Sequence, residues 1–501
     1  MSVSSSRTSN IKTSITEKLL FGNEPTPELM AILLVYFVQG ILGLARLAVS
    51  FFLKDELGLS PAEVSALFGI VALPWIVKPL FGFMSDGLPI FGYRRRPYLI
   101  LSGLAGTFAW VALATLVNNA IAATAAIALS SLSVAVSDVI VDSLVVERAR
   151  KESLGDAGSL QSVCWGASSL GGLITAYFSG QLLQHFSTHT IFLITASFPL
   201  IVSAVAWLIA EVPVSKLKTE ESSLEDAKAT ESTNEVKSVK EQVKQLWKAI
   251  SQKAIWMPTA FLFIWQATPS ADSAFFFFTT NELGFEPEFL GRVRLVTSLA
   301  SLLGIWLFQR FFKAVPFRRI FAWSTILSAG LGMTTLLLVT HANRAMGIDD
   351  HWFSIGDSLV LTVMGQIAYM PVLVLAARLC PAGVEATLFA LLMSVVNLAG
   401  LLSYEFGAVM MHWLGINEHN FEQLWLLVVI TNLSTLLPLP FINWLPDTSA
   451  NGEGASGDLL PVLEPEPSTS GPVGQHLIPD FMPELVPTSL VSDKLKAEES
   501  R

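Results

Sequence analysis

FGYRRRPYLILSGLAGTFAWVALATLV (91–117) sets three consecutive arginines against an apolar run long enough to cross a bilayer. A spanning helix needs about 20 apolar residues to cover ~30 Å of hydrocarbon, and the residues after Pro97 supply them. Proline is tolerated in the first turn of a helix, where its missing N–H has no intrahelical partner anyway, so Pro97 marks a helix start. The arginines then sit just outside the hydrocarbon, where positive charge resists translocation and fixes the threading. The stretch reads as a short basic loop followed by a transmembrane helix.

The same alternation fills the chain. Of its 501 residues 52% are hydrophobic and 14% charged, against roughly a quarter charged in soluble domains. Twelve spans are expected, near 29–53, 61–84, 97–117, 119–143, 159–183, 189–210, 255–279, 288–309, 318–340, 356–378, 384–412 and 421–445. The fold class is therefore an all-α polytopic membrane protein. Its parts are a leading segment (1–28), a first six-helix bundle (29–210), a linker (211–253), a second six-helix bundle (254–445) and an acidic tail (446–501).

Lys and Arg in the short connections set the orientation. Even-numbered connections hold Arg94, Arg95, Arg96, Arg148, Arg150, Lys151, Arg310, Lys313, Arg318, Arg319 and Arg378, and odd-numbered ones little beyond Lys54 and Arg344. Both termini and the linker are thus expected on the cytoplasmic side. The linker balances eight Lys against eight Asp/Glu, and its end, VKSVKEQVKQLWKAI, suits either a helix on an anionic leaflet or a lead-in to span seven. The tail is rich in Pro, Gly, Ser and Glu, a composition of disorder. The first residues lack a secretory h-region, while their bases without acids leave an organellar transit peptide open. With only Cys164 and Cys380, neither disulfides nor a metal centre is expected.

An ionised side chain inside hydrocarbon costs at least about 2.5–3.5 kcal/mol, so each needs a partner or a task. Gln39, Gly43 and Arg46 share a face of span 1. Asp138 and Asp142 are one turn apart on span 4, where two carboxylates repel unless they share a proton or a cation. Lys78 in span 2 and Glu405 in span 11 are assigned to structural ion pairs, Lys78 with one of those aspartates. Span 7, FLFIWQATPSADSAFFFF, carries Gln266, Pro269 and Asp272; Pro269 is expected to kink it, with Trp265, Pro269 and Asp272 on one face. Arg294 in span 8 is either the structural partner of Asp272 or a functional cation. Gln161 and Trp165 on span 5 are either packing residues or cavity lining. Gly172, Ala176 and Gly180 read as a close-packing stripe, and Phe275–Phe278 as a lipid-facing or interfacial run.

Gly82, Asp86, Gly92 and Arg94–Arg96 resemble the loop 2–3 signature of the major facilitator superfamily, although Asp86 to Gly92 is three residues longer than usual. FGYRRRPYLILSG, with YFVQGILGLARLAVSFFLKDELGLSPAE (36–63) and SDVIVDSLVVERAR (137–150), is similar to its folate–biopterin transporter branch. The resemblance implies two pseudo-symmetric bundles, alternating access around a midplane site, and a latch formed by Gly82, Asp86, Gly92, Arg94, Arg95 and Arg96. It also implies substrate contacts among Gln39, Arg46, Asp138, Asp142, Gln161, Trp165, Asp272 and Arg294. Arg46 would suit a glutamyl carboxylate, and Asp138 or Asp272 the 2-amino-4-oxo pterin edge.

The expected activity is secondary transport of folates or pterins, with Asp138, Asp142 and Asp272 as candidates for proton coupling. No GxxxxGK[ST] phosphate loop occurs, so direct ATP use is not expected, nor is any cofactor, metal or enzymatic reaction. The partners are a small-molecule substrate, protons and the lipid bilayer, with no nucleic acid and no protein partner. A bacterial, cyanobacterial-type plasma membrane is favoured over a plastid envelope. Two alternatives stay open: a carrier for another organic anion, and a non-transporting scaffold for chlorophyll–protein assembly. The histidines disfavour pigment ligation, because His185, His189, His341, His351, His412 and His419 fall at or beside external loops.

Overall fold

A computed structural model of the chain describes residues 25–149, 154–211, 213, 251–312, 314–379 and 385–447. The leading segment, nearly all of the linker and the tail lie outside the described residues, as do the side chains of Asp86, Gln161, Trp165 and Arg378.

Among the described residues, ten helices are long and apolar enough to cross a membrane. They are α1 (Pro27–Glu56), α2 (Pro61–Ser85), α3 (Arg96–Thr115), α4 (Ala120–Val145), α6 (Thr188–Leu208), α8 (Pro287–Phe312), α9 (Phe317–Val339), α10 (Asp350–Val372), α11 (Leu391–Trp413) and α12 (Leu424–Trp444). The fifth expected place is filled by α5 (Leu154–His185), and the seventh by a broken helix, α7, with limbs Lys253–Gln266 and Asp272–Phe277. Ten of the expected spans thus meet the length and apolarity of a crossing helix, and helical segments occupy the two remaining places.

Local chemistry sets the helix starts. Thr26 accepts from the Leu29 N–H at 3.2 Å, ahead of Pro27. Ser60 and Glu63 cap each other reciprocally around Pro61. Such caps satisfy N–H groups that the helix leaves unpaired. Pro97 lies in the first turn of α3, as its position predicts.

The two halves repeat one device. Phe52–Glu56 ends α1 in a π-turn and Phe278–Glu282 ends α7 in another. A left-handed glycine follows each, Gly58 at φ 64° and Gly284 at φ 68°, and then a proline opens the next helix. The sequences FLKDELGLSP (52–61) and FTTNELGFEP (278–287) share Phe, Glu, Leu, Gly and Pro at the same spacing. This internal repeat was missed in the expectations above.

The core lies in four apolar clusters, two in each bundle. Toward the face bearing Arg94–Arg96, here the basic face, one cluster joins Leu29, Val35, Leu99 and Ile140 and another joins Phe261, Phe317, Phe321 and Leu375; each draws on one bundle only. Toward the opposite face the clusters cross the seam. Ala45, Phe52, Trp110 and Phe192 of the first bundle pack with Phe276, Phe277 and Phe421 of the second. Hydrogen bonds join the bundles there as well, Lys54 Nζ to Asn281 at 2.8 Å and Ser65 Oγ to the Tyr404 carbonyl at 2.8 Å. A further one, at mid-depth, runs from Asn397 Nδ2 to the Trp75 carbonyl at 3.1 Å.

Glycine permits a close crossing at the seam. A Cβ on Gly180 of α5 would lie 2.8 Å from the Gly291 Cα of α8, so the expected stripe packs across the bundle seam at this position. One expectation fails here: Phe277 and Phe278 are buried rather than lipid-facing, and Phe276 meets Phe51 edge-on at 5.2 Å. The π-turn that ends α7 rotates these rings into the seam.

Candidate functional site

The break in α7 is stabilised from α11. The Ser270 N–H donates to the Ser403 carbonyl at 3.0 Å, and Ser403 Oγ donates to the Thr268 carbonyl at 2.5 Å. Gly407 lets the strands approach, since a side chain there would strike the Ser270 carbonyl. Backbone groups released by Pro269 therefore find partners in a neighbouring helix, the condition for irregular chain at membrane depth. The sequence predicted a kink and the structure shows a full interruption. Trp265 accordingly ends on a different limb from Asp272, and the expected common face does not exist. Trp265 instead donates to Thr325 Oγ1 at 3.3 Å.

Asp272 opens the second limb. The residue is exposed, and its backbone N–H donates to Ser270 Oγ at 3.2 Å. Arg46 occupies the matching place in the first half: each lies ten residues before the Glu of the repeated motif (46 to 56, 272 to 282). At 1.5 Å per residue that is ~15 Å from the opposite face. Arg294, on α8, follows one turn after Gly291, which packs on Gly180 of α5. Tyr404 of α11 has its ring centroid 6.4 Å from that of Phe68 of α2.

No ion pair joins Asp272 to Arg294 among the described residues, which overturns the structural pairing considered for them. Glu405 is also corrected. It pairs with no cation among the described residues but lies over Gly69 of α2, where any side chain would collide with its carboxylate. The seam brings α11 against a bare stretch of α2, leaving Glu405 no basic neighbour.

A second polar cluster lies within the first bundle. Lys78 pairs with Asp138, as expected, and its ammonium sits 4.6 Å from the Trp75 ring centroid. Asp142 accepts a hydrogen bond from the Tyr36 hydroxyl. Tyr36 was missed as a functional residue, because a lone tyrosine in an apolar span gives no periodic signal. Gln39, one turn nearer the middle of α1 than Tyr36, has a buried amide nitrogen without a hydrogen-bond partner among the described residues. The expected contributions of Gln161 and Trp165 fall on side chains outside the described ones.

The basic loop is held from an unexpected direction. Glu211, at the end of the first bundle, accepts the backbone N–H groups of Arg94, Arg95 and Arg96 at 2.5, 3.0 and 3.0 Å. These are the unpaired donors at the start of α3, where the helix dipole favours an anion. Arg95 is buried and donates to Ser85 Oγ at 2.5 Å, while Arg96 Nε donates to the Ile209 carbonyl at 2.7 Å. The three extra residues between Asp86 and Gly92 fall in a tight turn. Ile90 and Tyr93 exchange both backbone hydrogen bonds at 3.0 Å, with Phe91 at φ 51° and Gly92 at φ 83°. That is the two-residue geometry for which glycine is suited. Gly82 lies against Val139 with room for a methyl group, so close packing does not require it.

One open cavity of about 490 Å³ lies elsewhere, on the opposite face of the second bundle, lined by Glu282, His341, His419, Phe421, Glu422 and Trp425 among others. It is remote from the seam charges, which mark the more telling site chemically. No group of three metal-ligating side chains forms among the described residues.

The BT1 family profile matches residues 39–458 of the chain. The chain is similar to a folate-biopterin transporter of Synechocystis sp., 58% identical over 488 residues and covering 95% of each chain. It is also similar to a probable folate-biopterin transporter 2 of Arabidopsis thaliana, 34% identical over 423 residues, with 82% of this chain and 81% of the relative covered. Among solved structures, a D-xylose–proton symporter superposes with a TM-score of 0.61 at 15% identity, covering 85% of this chain and 100% of the other. At that identity the likeness concerns the fold alone, which is that of the major facilitator carriers.

Proposed function

The chain belongs to the BT1 family, and from that premise we propose that it is a secondary carrier of folates or pterins working by alternating access. One observation supports this most: Arg46 and Asp272 stand at matching places of the two repeats, each ten residues before the Glu of the shared motif, and neither they nor Arg294 of α8 has an ion-pair partner among the described residues. Charges left so within a membrane protein are costly unless a ligand compensates them. Arg46 supplies a fork for a carboxylate, and Asp272 an acceptor for neighbouring N–H groups such as those of a pterin edge. Tyr404 and Phe68 add aromatic surface beside them.

Packing gives the carrier its state. Apolar clusters and hydrogen bonds seal the seam toward the opposite face, while the clusters toward the basic face stay within their own bundles. We read this as a conformation open toward the basic face, and we assign that face to the cytoplasm of a bacterial-type plasma membrane because the Lys and Arg of the short connections gather there. In the alternate state the basic loop, prepositioned by Glu211, would latch the basic face through Asp86 and the arginines.

Proton coupling is assigned to the first bundle's cluster and to Asp272. Lys78 is committed to Asp138, so Asp142 has a tyrosine hydroxyl but, among the described residues, no ion-pair partner of its own. A carboxylate in that position can carry a proton through the cycle, because its charged form is the costly one in an apolar surround.

Uptake of radiolabelled folic acid and biopterin into proteoliposomes, with and without an imposed proton gradient, tests the reading. Saturable uptake accelerated by the gradient is expected. Absence of uptake of either compound by folded protein would overturn it.

A further inference from the structure

We propose that Lys54 is the lock of the opposite face. Its ammonium sits where the two repeats meet, is held from both bundles at once, and gives up half of its partners each time that face opens. The proposal rests on the alternating-access reading above and names the contact whose breaking admits substrate from that side.

Lys54 is an exception among the charges that set the orientation, a cation on the face that otherwise carries few. Its side chain is only 11% exposed. Nζ donates to Asn281 Oδ1 at 2.8 Å across the seam and pairs with Asp55 at 2.5 Å on its own turn. It also lies 5.7 Å from the Phe51 ring centroid and 5.9 Å from that of Phe277, within reach of cation–π attraction. These four partners are two equivalent pairs. Asp55 and Asn281 each directly precede the Glu of the repeated motif, and Phe51 and Phe277 each stand five residues before it. A cation in contact with both members of both pairs lies on the pseudo-twofold axis that relates the repeats.

The repeats differ where the lock requires it. Thr280 stands at the place equivalent to Lys54, and its hydroxyl donates to the Phe276 carbonyl at 2.8 Å. Two ammonium groups on one axis would repel, so a single lysine serves both halves. Asn281, in place of a second carboxylate, keeps the contact across the seam a hydrogen bond to a neutral acceptor. Its Nδ2 donates to the Glu418 carbonyl at 2.9 Å, which aims Oδ1 at Lys54. When the bundles part, Asp55 and Phe51 travel with Lys54, so its charge keeps a partner, while Asn281 and Phe277 stay with the second bundle. Opening thus breaks one charge-assisted hydrogen bond and one ring contact, a strength suited to a contact remade in every cycle.

Exchanging the two equivalent positions tests the lock. Ser65 is buried in the seam. In protein whose two native cysteines are replaced by alanine, Ser65→Cys reports opening through its rate of labelling by an impermeant maleimide added on the opposite face. Lys54→Thr should raise that rate about tenfold, the shift in a two-state equilibrium that one charge-assisted hydrogen bond supports. Thr280→Lys, which puts two cations on the axis, should raise it as well. The double variant Lys54→Thr/Thr280→Lys rebuilds the site from the other repeat. Its contact across the seam is then an ion pair with Asp55, so its rate should fall to that of the parent or below. An unchanged rate in Lys54→Thr, or a double variant as reactive as the single ones, overturns the lock, because a lysine serving only its own helix could not be replaced from the other bundle. A parent that takes up neither folic acid nor biopterin, with labelling still following the exchange, would instead overturn the transport reading and leave the lock standing.

Discussion

Replacing Lys78 by methionine tests whether the polar cluster of the first bundle is held by its one cation. Lys78 and Asp138 expose 23% and 14% of their side chains, so their pairing is only lightly screened. Removing one partner of such a pair leaves an uncompensated buried charge, at about 3–5 kcal/mol. Asp142 adds to this. It lies one turn from Asp138, roughly 6 Å away, and two carboxylates at that spacing repel by about 3 kcal/mol at an effective dielectric of 20. The lost stacking on Trp75 contributes about 0.5–1 kcal/mol more. These effects overlap, so the whole cost is on the order of 4 kcal/mol, equivalent to roughly 10 °C in melting temperature for a bundle of this size.

Thermal unfolding of purified Lys78→Met, Lys78→Met/Asp138→Asn and the parent measures it. The single variant should melt well below the parent, and the double variant should recover most of the loss, because the stranded charge is gone. A single variant as stable as the parent, or a double variant no better than the single one, would refute the reasoning.

Two further perturbations follow from the seam and the basic loop. Gly180→Leu puts a side chain where even a Cβ lies 2.8 Å from Gly291; transport should be lost with folding retained, and a cysteine placed at Ser65 should become more reactive toward a reagent added on the opposite face as the seam is forced apart. Glu211→Ala removes the carboxylate that caps three N–H groups at the start of α3. A cost of about 1.5–3 kcal/mol is expected, seen as lower thermal stability and faster proteolysis of the 88–96 loop, whereas Glu211→Asp should be closer to the parent.

Much of the architecture was legible in the chain itself. Apolar length, Pro at helix starts and the arginine loop located the spans, because hydrocarbon thickness and backbone hydrogen bonding leave few other solutions. Asp138 with Lys78 was legible for a similar reason: a buried cation on a neighbouring helix at matching depth has few possible partners. The repeated FxxxELGxxP motif was also present in the sequence, and with it the equivalence of Arg46 and Asp272. It was overlooked because two π-turns carry no periodicity of their own.

Tertiary structure alone decided the rest. Depth along a helix follows from residue number, but which charges meet depends on the azimuth of each helix and on the packing of one bundle against the other. That is why Arg294, level with Asp272 by residue count, makes no ion pair with it among the described residues, and why Glu405 ends over a glycine of α2. Helix rotation at the seam is set by side-chain fit, at Gly180 against Gly291 and Gly407 against Ser270, and no single helix encodes it. The sequence determined a polytopic carrier with costly charges in its interior; only the assembled bundles determined which of them pair, as Lys78 does with Asp138.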